Sequence, residues 1–314
     1  MADVLPPVSP PVDRHDAVTA LPPLRQFALA LDAVPMPVLA AAANAVEGAA
    51  GSWTLRLSRI AEPENECVRS RQCDLWAFVW GSTAVLGSIL LGLPAPSISK
   101  CTVLEIGAGT GVASLCAAHR GATVLTTDLV EDALTLCRHN AAANGIQAAA
   151  AAAKIASSIA PQLTTHLLDW HRPAFPATAA HPASDTVGRN CGRFDLIVGS
   201  DVLYMGRAAK PIAALCAECL APGQAALFVD PGRPNTEAFV DAAEALQLHV
   251  ERADVWRLRT AVCDMAKCTL LLVTAPGATT TSVWTRAWLD ATAAALTAQW
   301  GVADADPFAA QYRM

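Results

Sequence analysis

The stretch Thr102–Gly111, TVLEIGAGTG, restricts the fold of this chain more than any other. Apolar and β-branched residues ending at Glu105 read as a short buried strand, and Gly107, Gly109 and Gly111 then turn the chain into an amphipathic run, VASLCAAHRG. A strand, a glycine turn and a helix N-terminus make a nucleotide pocket, because residues without a Cβ take positive φ and let a ligand reach the main chain. A dinucleotide loop of the G-x-G-x-x-G type needs glycine or alanine at its sixth position, where this chain has Val112. The pattern is E-x-G-x-G-x-G instead. An acid at the strand end suits a cofactor with an amino-acid moiety and a sulfonium, such as S-adenosylmethionine, better than it suits a phosphate.

The segments that follow alternate strand and helix. Strands are predicted at Thr123–Asp128, Thr165–Trp170, Phe194–Ser200 and Ala225–Asp230, with helices over EDALTLCRHNAAANG and at about Arg207–Leu220 and Asn235–Leu246. Two late strands, LHVERADVWRL and KCTLLLVTA, have no helix between them and so pair antiparallel. The expected fold is α/β and Rossmann-like: a seven-stranded, mostly parallel sheet with an antiparallel last strand and helices on both faces. It occupies residues 51–275. Residues 1–50 form a Pro/Ala-rich extension, disordered over its first twenty residues, with a helical stretch around Leu24 to Ala33. Trp53–Ile60 alternates apolar and polar residues and reads as an accessory hairpin strand. The alanine-rich segment Gln147–Pro161 and the segment Pro173–Arg193 read as surface loops, and residues 276–314 as a helical tail in which Trp284, Trp288 and Trp300 pack at helical spacing.

Charge and cysteine usage narrow the function. A net charge of −6 without any Lys/Arg cluster argues against a nucleic-acid partner. The ten cysteines lack metal-ligand spacing, Cys216 and Cys219 included, and read as reduced core thiols, so no metal is expected. The run from Leu75 to Pro94 is uncharged and near membrane-spanning length, but Gly81, Ser82 and Thr83 interrupt it, so a buried helix is expected and no membrane partner. The N-terminus lacks a secretory pattern and carries Asp3, Asp13 and Asp16; the cytoplasm is the default location, with mitochondrion and plastid left open.

In an open α/β sheet the ligand lies beyond the C-terminal ends of the strands. Here those ends carry Glu105, Asp128, Asp169 beside Trp170, Ser200 beside Asp201, and Asp230. Asp128 is placed to accept hydrogen bonds from ribose hydroxyls. Trp170 can cover an adenine-sized plane while Asp169 accepts from an exocyclic amine. Any one of these acids can instead cap the helix that follows it.

The string FDLIVGSDVLY, with Asp201 and Tyr204 spaced D-x-x-Y, resembles the methyltransferase family 16 group of seven-strand protein lysine methyltransferases. So do LEIGAGTG, the LDW at 168–170 and the upstream LWAFVWGS. The phrase DPGRP at 230–234 further resembles the branch that includes the electron-transfer-flavoprotein β-subunit lysine methyltransferase. The resemblance implies a class I methyltransferase in which Trp80, Gly107, Asp128, Trp170 and Ser200 line the cofactor site, and Asp201 and Tyr204 border a lysine channel. With Glu105, Gly109 and Asp169 from the strand ends, these are the candidate site residues. The implied partner is a protein with an exposed lysine, met by a monomeric enzyme. Two other readings stay open: a small amine or carboxylate metabolite as acceptor, and a non-catalytic module, which predicts decay of the glycine turn or of the acid at 128. Arg233 is either a turn residue or a contact for an acidic substrate surface.

Overall fold

The computed structural model describes residues 24–34, 52–60, 75–94, 98–150, 162–175, 194–260, 262–276 and 283–301. Strand β3 (Thr102–Ile106) takes the centre of the main sheet because it has no polar face: Val103, Leu104 and Ile106 are buried, and so is Glu105. A strand covered on both sides needs such a run. It pairs in parallel with β4 (Thr123–Asp128) on one edge and β7 (Phe194–Ser200) on the other. Beyond β4 lie β6 (Leu163–Leu167) and the short β5 (Ala148–Ala150); beyond β7 lie β8 (Leu220–Asp230), β10 (Asp264–Thr274) and β9 (His249–Arg259). The order is β5-β6-β4-β3-β7-β8-β10-β9, with β10 antiparallel to both neighbours.

All seven predicted strands of the main sheet are present, and β5 is an eighth. It forms in the segment read as a loop: alanine has little strand preference of its own, and pairing with β6 decides. The strand expected at Thr165–Trp170 starts at Leu163 and stops at Leu167. The Leu168 amide still donates to Asp128 O (2.9 Å), and the Asp169 side chain then accepts from the His171 amide (2.9 Å), an Asx turn that takes the chain out of the ladder.

Helices α1 (Gly81–Gly92), α2 (Val112–His119), α3 (Glu131–Ala143), α4 (Ala209–Cys219), α5 (Thr236–Ala245) and α6 (Arg286–Trp300) surround the sheet. Side chains alternate between two cores: Val103, Val124, Leu196 and Val198 join one, Leu104, Ile106, Leu125 and Ile197 the other. Helix α1 is buried at every residue from Gly81 to Leu91, so the apolar run belongs to a core helix about 18 Å long. Among the described residues no helix is long and apolar enough to cross a membrane.

Two expectations are corrected. Leu24–Asp32 is not helical; it is strand β1, paired antiparallel with β2 (Ser52–Ile60) in a separate two-stranded sheet. Leu29 and Leu31 are buried while Ala28, Ala30 and Asp32 are exposed, the alternation of a strand, and Leu55 and Leu57 of β2 complete the same buried face. The cysteines are not all reduced either: Cys219 is disulfide-bonded, whereas Cys116, Cys137, Cys216, Cys263 and Cys268 are free thiols. Its spacing from Cys216 holds no sign of this. The first twenty residues and most of Gln147–Pro161 and Pro173–Arg193 lie outside the described residues.

Asparagine side chains in and just after α3 take the place of a third strand beside the hairpin. Asn144 Oδ1 accepts from the Arg56 amide (2.9 Å) and its Nδ2 donates to Arg56 O (2.7 Å). Asn140 Oδ1 accepts from the Ser58 amide (2.7 Å), and its Nδ2 donates to Ser58 O (3.3 Å) and to Thr110 O in the glycine turn (3.0 Å).

Where the chain leaves β1, the Val34 amide donates to Ser88 O (3.0 Å), and a Cβ on Gly92 would lie 2.0 Å from Val34 O. Intrinsic helix preference favours alanine over glycine by about 1 kcal/mol, but overpacking against a fixed carbonyl costs about 1–3 kcal/mol. Gly92→Ala is therefore expected to lower the urea midpoint; an unchanged or higher midpoint would show that the β1 exit yields freely.

Candidate active site

The C-terminal tips of the parallel strands converge on one edge. Gly107 and Gly109 leave β3 with φ of 63° and 54°. A Cβ on Gly107 would lie 3.0 Å from Val202 Cγ1 and 3.2 Å from Trp170 Cζ2, so the turn threads between the loops that follow β7 and β6. Asp128, at the tip of β4, fixes it: its Oδ2 accepts from the Gly109 amide (2.9 Å) and its Oδ1 from the Val130 amide (3.0 Å). Burial raises its pKa, and these bonds oppose the rise. The Leu129 amide lowers it as well, and the carboxylate keeps acceptor capacity for one further donor.

Glu105 turns away from the crevice into helix α2. Its Oε2 accepts from the Ser114 amide (3.0 Å) and from the Ser114 hydroxyl, which in turn accepts from Thr126 Oγ1 (2.7 Å). Burial pushes its pKa up to about 7. At the tip of β7, the hydroxyls of Ser200 and Thr83 lie 2.6 Å apart and join the strand to the first turn of α1. Trp80 precedes that turn; its indole N–H donates to Leu75 O (3.0 Å) and its ring leans on Phe78. Trp170 is half-buried, and its indole nitrogen is buried with no hydrogen-bond partner among the described residues. Asp169 beside it is half-buried.

Asp201 has φ of 52°, a left-handed conformation that aspartate tolerates better than most residues. Its amide still donates to Val229 O (2.9 Å), while its side chain, 7% exposed, receives Arg233 Nε on Oδ1 and Arg233 Nη2 on Oδ2, both at 2.8 Å. Arg233 is itself set by Asp230 at the tip of β8, whose Oδ1 accepts from the amides of Gly232 (2.8 Å) and Arg233 (2.5 Å). Burial raises the pKa of Asp230, and the bond to Asp201 raises that of Arg233. Tyr204 is 40% exposed; its pKa is raised first by partial burial and then by the charges of Asp128 and Asp201, with Arg207 opposing. The phenol thus lies within electrostatic range of both carboxylates and stays protonated at neutral pH.

The edge gathers Gly107, Gly109, Asp128, Trp170, Ser200, Asp201 and Tyr204, with Trp80 tied in through Thr83. Strands β4 and β7 flank β3, so the tips bearing Asp128 and Asp201 are about 10 Å apart. The sequence reading left Arg233 unassigned and passed over Thr83, Ser114 and Asn235, whose Nδ2 donates to Leu203 O (2.8 Å). Only Arg233 carried a signal: Asp201 and DPGR end adjacent strands of the expected sheet.

Residues 68–244 match the family model described as lysine methyltransferase, which covers more than half of the chain. The chain belongs to the lysine methyltransferase family. It is 31% identical over 135 residues to Protein N-lysine methyltransferase METTL21A of Mus musculus, covering 43% of this chain and 51% of that protein. It is 32% identical over 144 residues to Release factor glutamine methyltransferase of Deinococcus radiodurans, covering 45% of this chain and 50% of that protein. A shorter match, 41% over 71 residues, is to Methyltransferase-like protein 22 of Mus musculus, covering 23% of this chain and 18% of that protein. The chain therefore spans about half, or less, of the length of these relatives.

A carboxyl whose folded pKa lies near 7 against an ordinary 4.5 is protonated more readily in the folded chain, so Glu105 lowers stability as pH rises from about 4.5 to 7. The full effect is about 3 kcal/mol. Glu105→Gln keeps an acceptor for the Ser114 amide and removes the titration. Its melting temperature is expected to fall less than that of the unaltered protein between pH 5 and pH 8, and parallel curves would exclude the effect.

Proposed function

We propose that this protein is an S-adenosylmethionine-dependent protein-lysine N-methyltransferase. The observation that carries the reading is the placement of Asp128 and Asp201 at the C-terminal edge of the strands flanking β3, with the Tyr204 phenol within range of both, in a chain of this family.

The residues present fit the cofactor. Gly107 and Gly109 take the positive φ that lets a ligand meet the main chain, Asp128 keeps acceptor capacity for a ribose hydroxyl, and Trp170 offers an indole face and a buried donor without a partner among the described residues. Ser200 and Trp80 complete the proposed cofactor side, joined through Thr83, whose hydroxyl lies 2.6 Å from that of Ser200 and whose amide donates to Trp80 O at 3.1 Å. When bound, S-adenosylmethionine supplies a methyl group already activated on a sulfonium.

The chain's own residues must then present a neutral amine. A lysine of ordinary pKa near 10.4 is protonated at pH 7.4, and freeing its lone pair costs about 4 kcal/mol. Tyr204 and Trp80 wall the acceptor side with aromatic surface, which disfavours the charged form by desolvation. Asp201 accepts a hydrogen bond from the amine on a lone pair that Arg233 leaves free, and orients the nitrogen while its proton passes to water. Alignment accounts for most of the acceleration, because the methyl group needs no further activation.

The test is incubation with tritium-labelled S-adenosylmethionine and a proteome extract, followed by hydrolysis and amino-acid analysis. Label is expected in methyl-lysine from protein bands and absent with Asp201→Ala. Asp128→Ala is expected to weaken S-adenosylhomocysteine binding tenfold or more by calorimetry, on the order of 1.4 kcal/mol, while Asp201→Ala leaves that binding in place. Label confined to small molecules, or found in methylglutamine, would overturn the lysine assignment.

A further inference from the structure

The candidate acceptor carboxylate is already paired. Arg233 holds both oxygens of Asp201 at 2.8 Å, and Asp230 holds the amides of Gly232 and Arg233, so a buried acid at the tip of β8 fixes the turn that delivers the guanidinium. The arrangement is specific to arginine, whose planar fork meets a carboxylate through two parallel bonds, as an ammonium does not.

The charges of the neighbourhood define what the pair does. Asp201 and Asp230 face Arg233 directly. Tyr204 stands beside Asp201, with Asp128 beyond it and Arg207 opposing. From β10, the Lys267 stem packs on Gly232, but its Nζ is taken by Asp254 at 3.1 Å; Glu237 in the first turn of α5 is taken by Arg252. Among the described residues, the cation bonded to Asp201 is therefore Arg233. An unpaired carboxylate beside a bound lysine would favour the ammonium and raise its pKa, which works against a reaction that needs the free amine.

We propose that Arg233 is a positioning residue: it cancels the charge of Asp201 while leaving that carboxylate a free lone pair, so that the acceptor site orients a lysine amine without stabilising its protonated form. This deepens the lysine-methyltransferase reading and rests on it. Removing the cation leaves a bare carboxylate at the amine and moves the onset of activity to higher pH. Neutralising Asp201 alone leaves a bare guanidinium and moves it to lower pH. Removing both restores the balance.

The test uses the full chain, tritium-labelled S-adenosylmethionine and the same extract, with the initial rate of methyl-lysine formation followed from about pH 6 to pH 10. In Arg233→Gln the rising alkaline limb is expected to shift up by about one pH unit, in Asp201→Asn to shift down, and in the double variant to return towards the unaltered protein. Melting curves and S-adenosylhomocysteine calorimetry report folding independently of turnover; should Arg233→Gln fail to fold, the downward shift of Asp201→Asn and its reversal in the double variant decide. Limbs that stay in place while rates fall at every pH overturn the role of Arg233 and leave the lysine reading standing. Absence of methyl-lysine with the unaltered protein at every pH overturns both.

Discussion

The bond between the Gly109 amide and the Asp128 carboxylate is the contact on which this site depends. It crosses from the tip of β4 to the turn after β3, so the parallel pairing of those two strands and the shape of the glycine turn are one constraint. Burying a carboxylate is costly unless its oxygens are met by donors, and the raised pKa of Asp128 records the part of that cost left uncovered. Glu105 meets the same problem one layer down, where the Ser114 amide and hydroxyl anchor it beneath the first turn of α2. One acid shapes the loop from its rim and the other holds the helix behind it.

The central sheet was legible because its strands are covered on both faces and end in acids. Phe194–Ser200 matched its expected bounds, as did Thr123–Asp128. Leu24–Asp32 was misread because Leu24, Phe27 and Leu31 fit a helical spacing as readily as Phe27, Leu29 and Leu31 fit a strand, and only the pairing with β2, distant in the chain, decides. The eighth strand was hidden for a similar reason, since three alanines carry no pattern at all. Among the site residues, position could be read at strand ends, but side-chain direction could not. Glu105 occupies the expected place yet faces α2, and Asp201 occupies its place yet faces Arg233.

The tip of β7 differs from the tip of β4 in how its charges are handled. Asp128 is met by backbone amides, which have no net charge and keep its acidity local to the loop. Asp201 is met by a full cation delivered from the neighbouring strand. Fixed dipoles shape a pocket, whereas a counter-ion alters the field that an incoming charged side chain encounters.

Asn140 belongs to neither strand tip, yet it joins the hairpin to the glycine turn. Its amide group accepts from the Ser58 amide and donates to the carbonyls of Ser58 and Thr110, so one buried side chain bridges β2 and the glycine turn. The hairpin thereby serves as a splint for the loop. A tether or crosslink applied to β2 would load the glycine turn from the far side of α3, through Asn140.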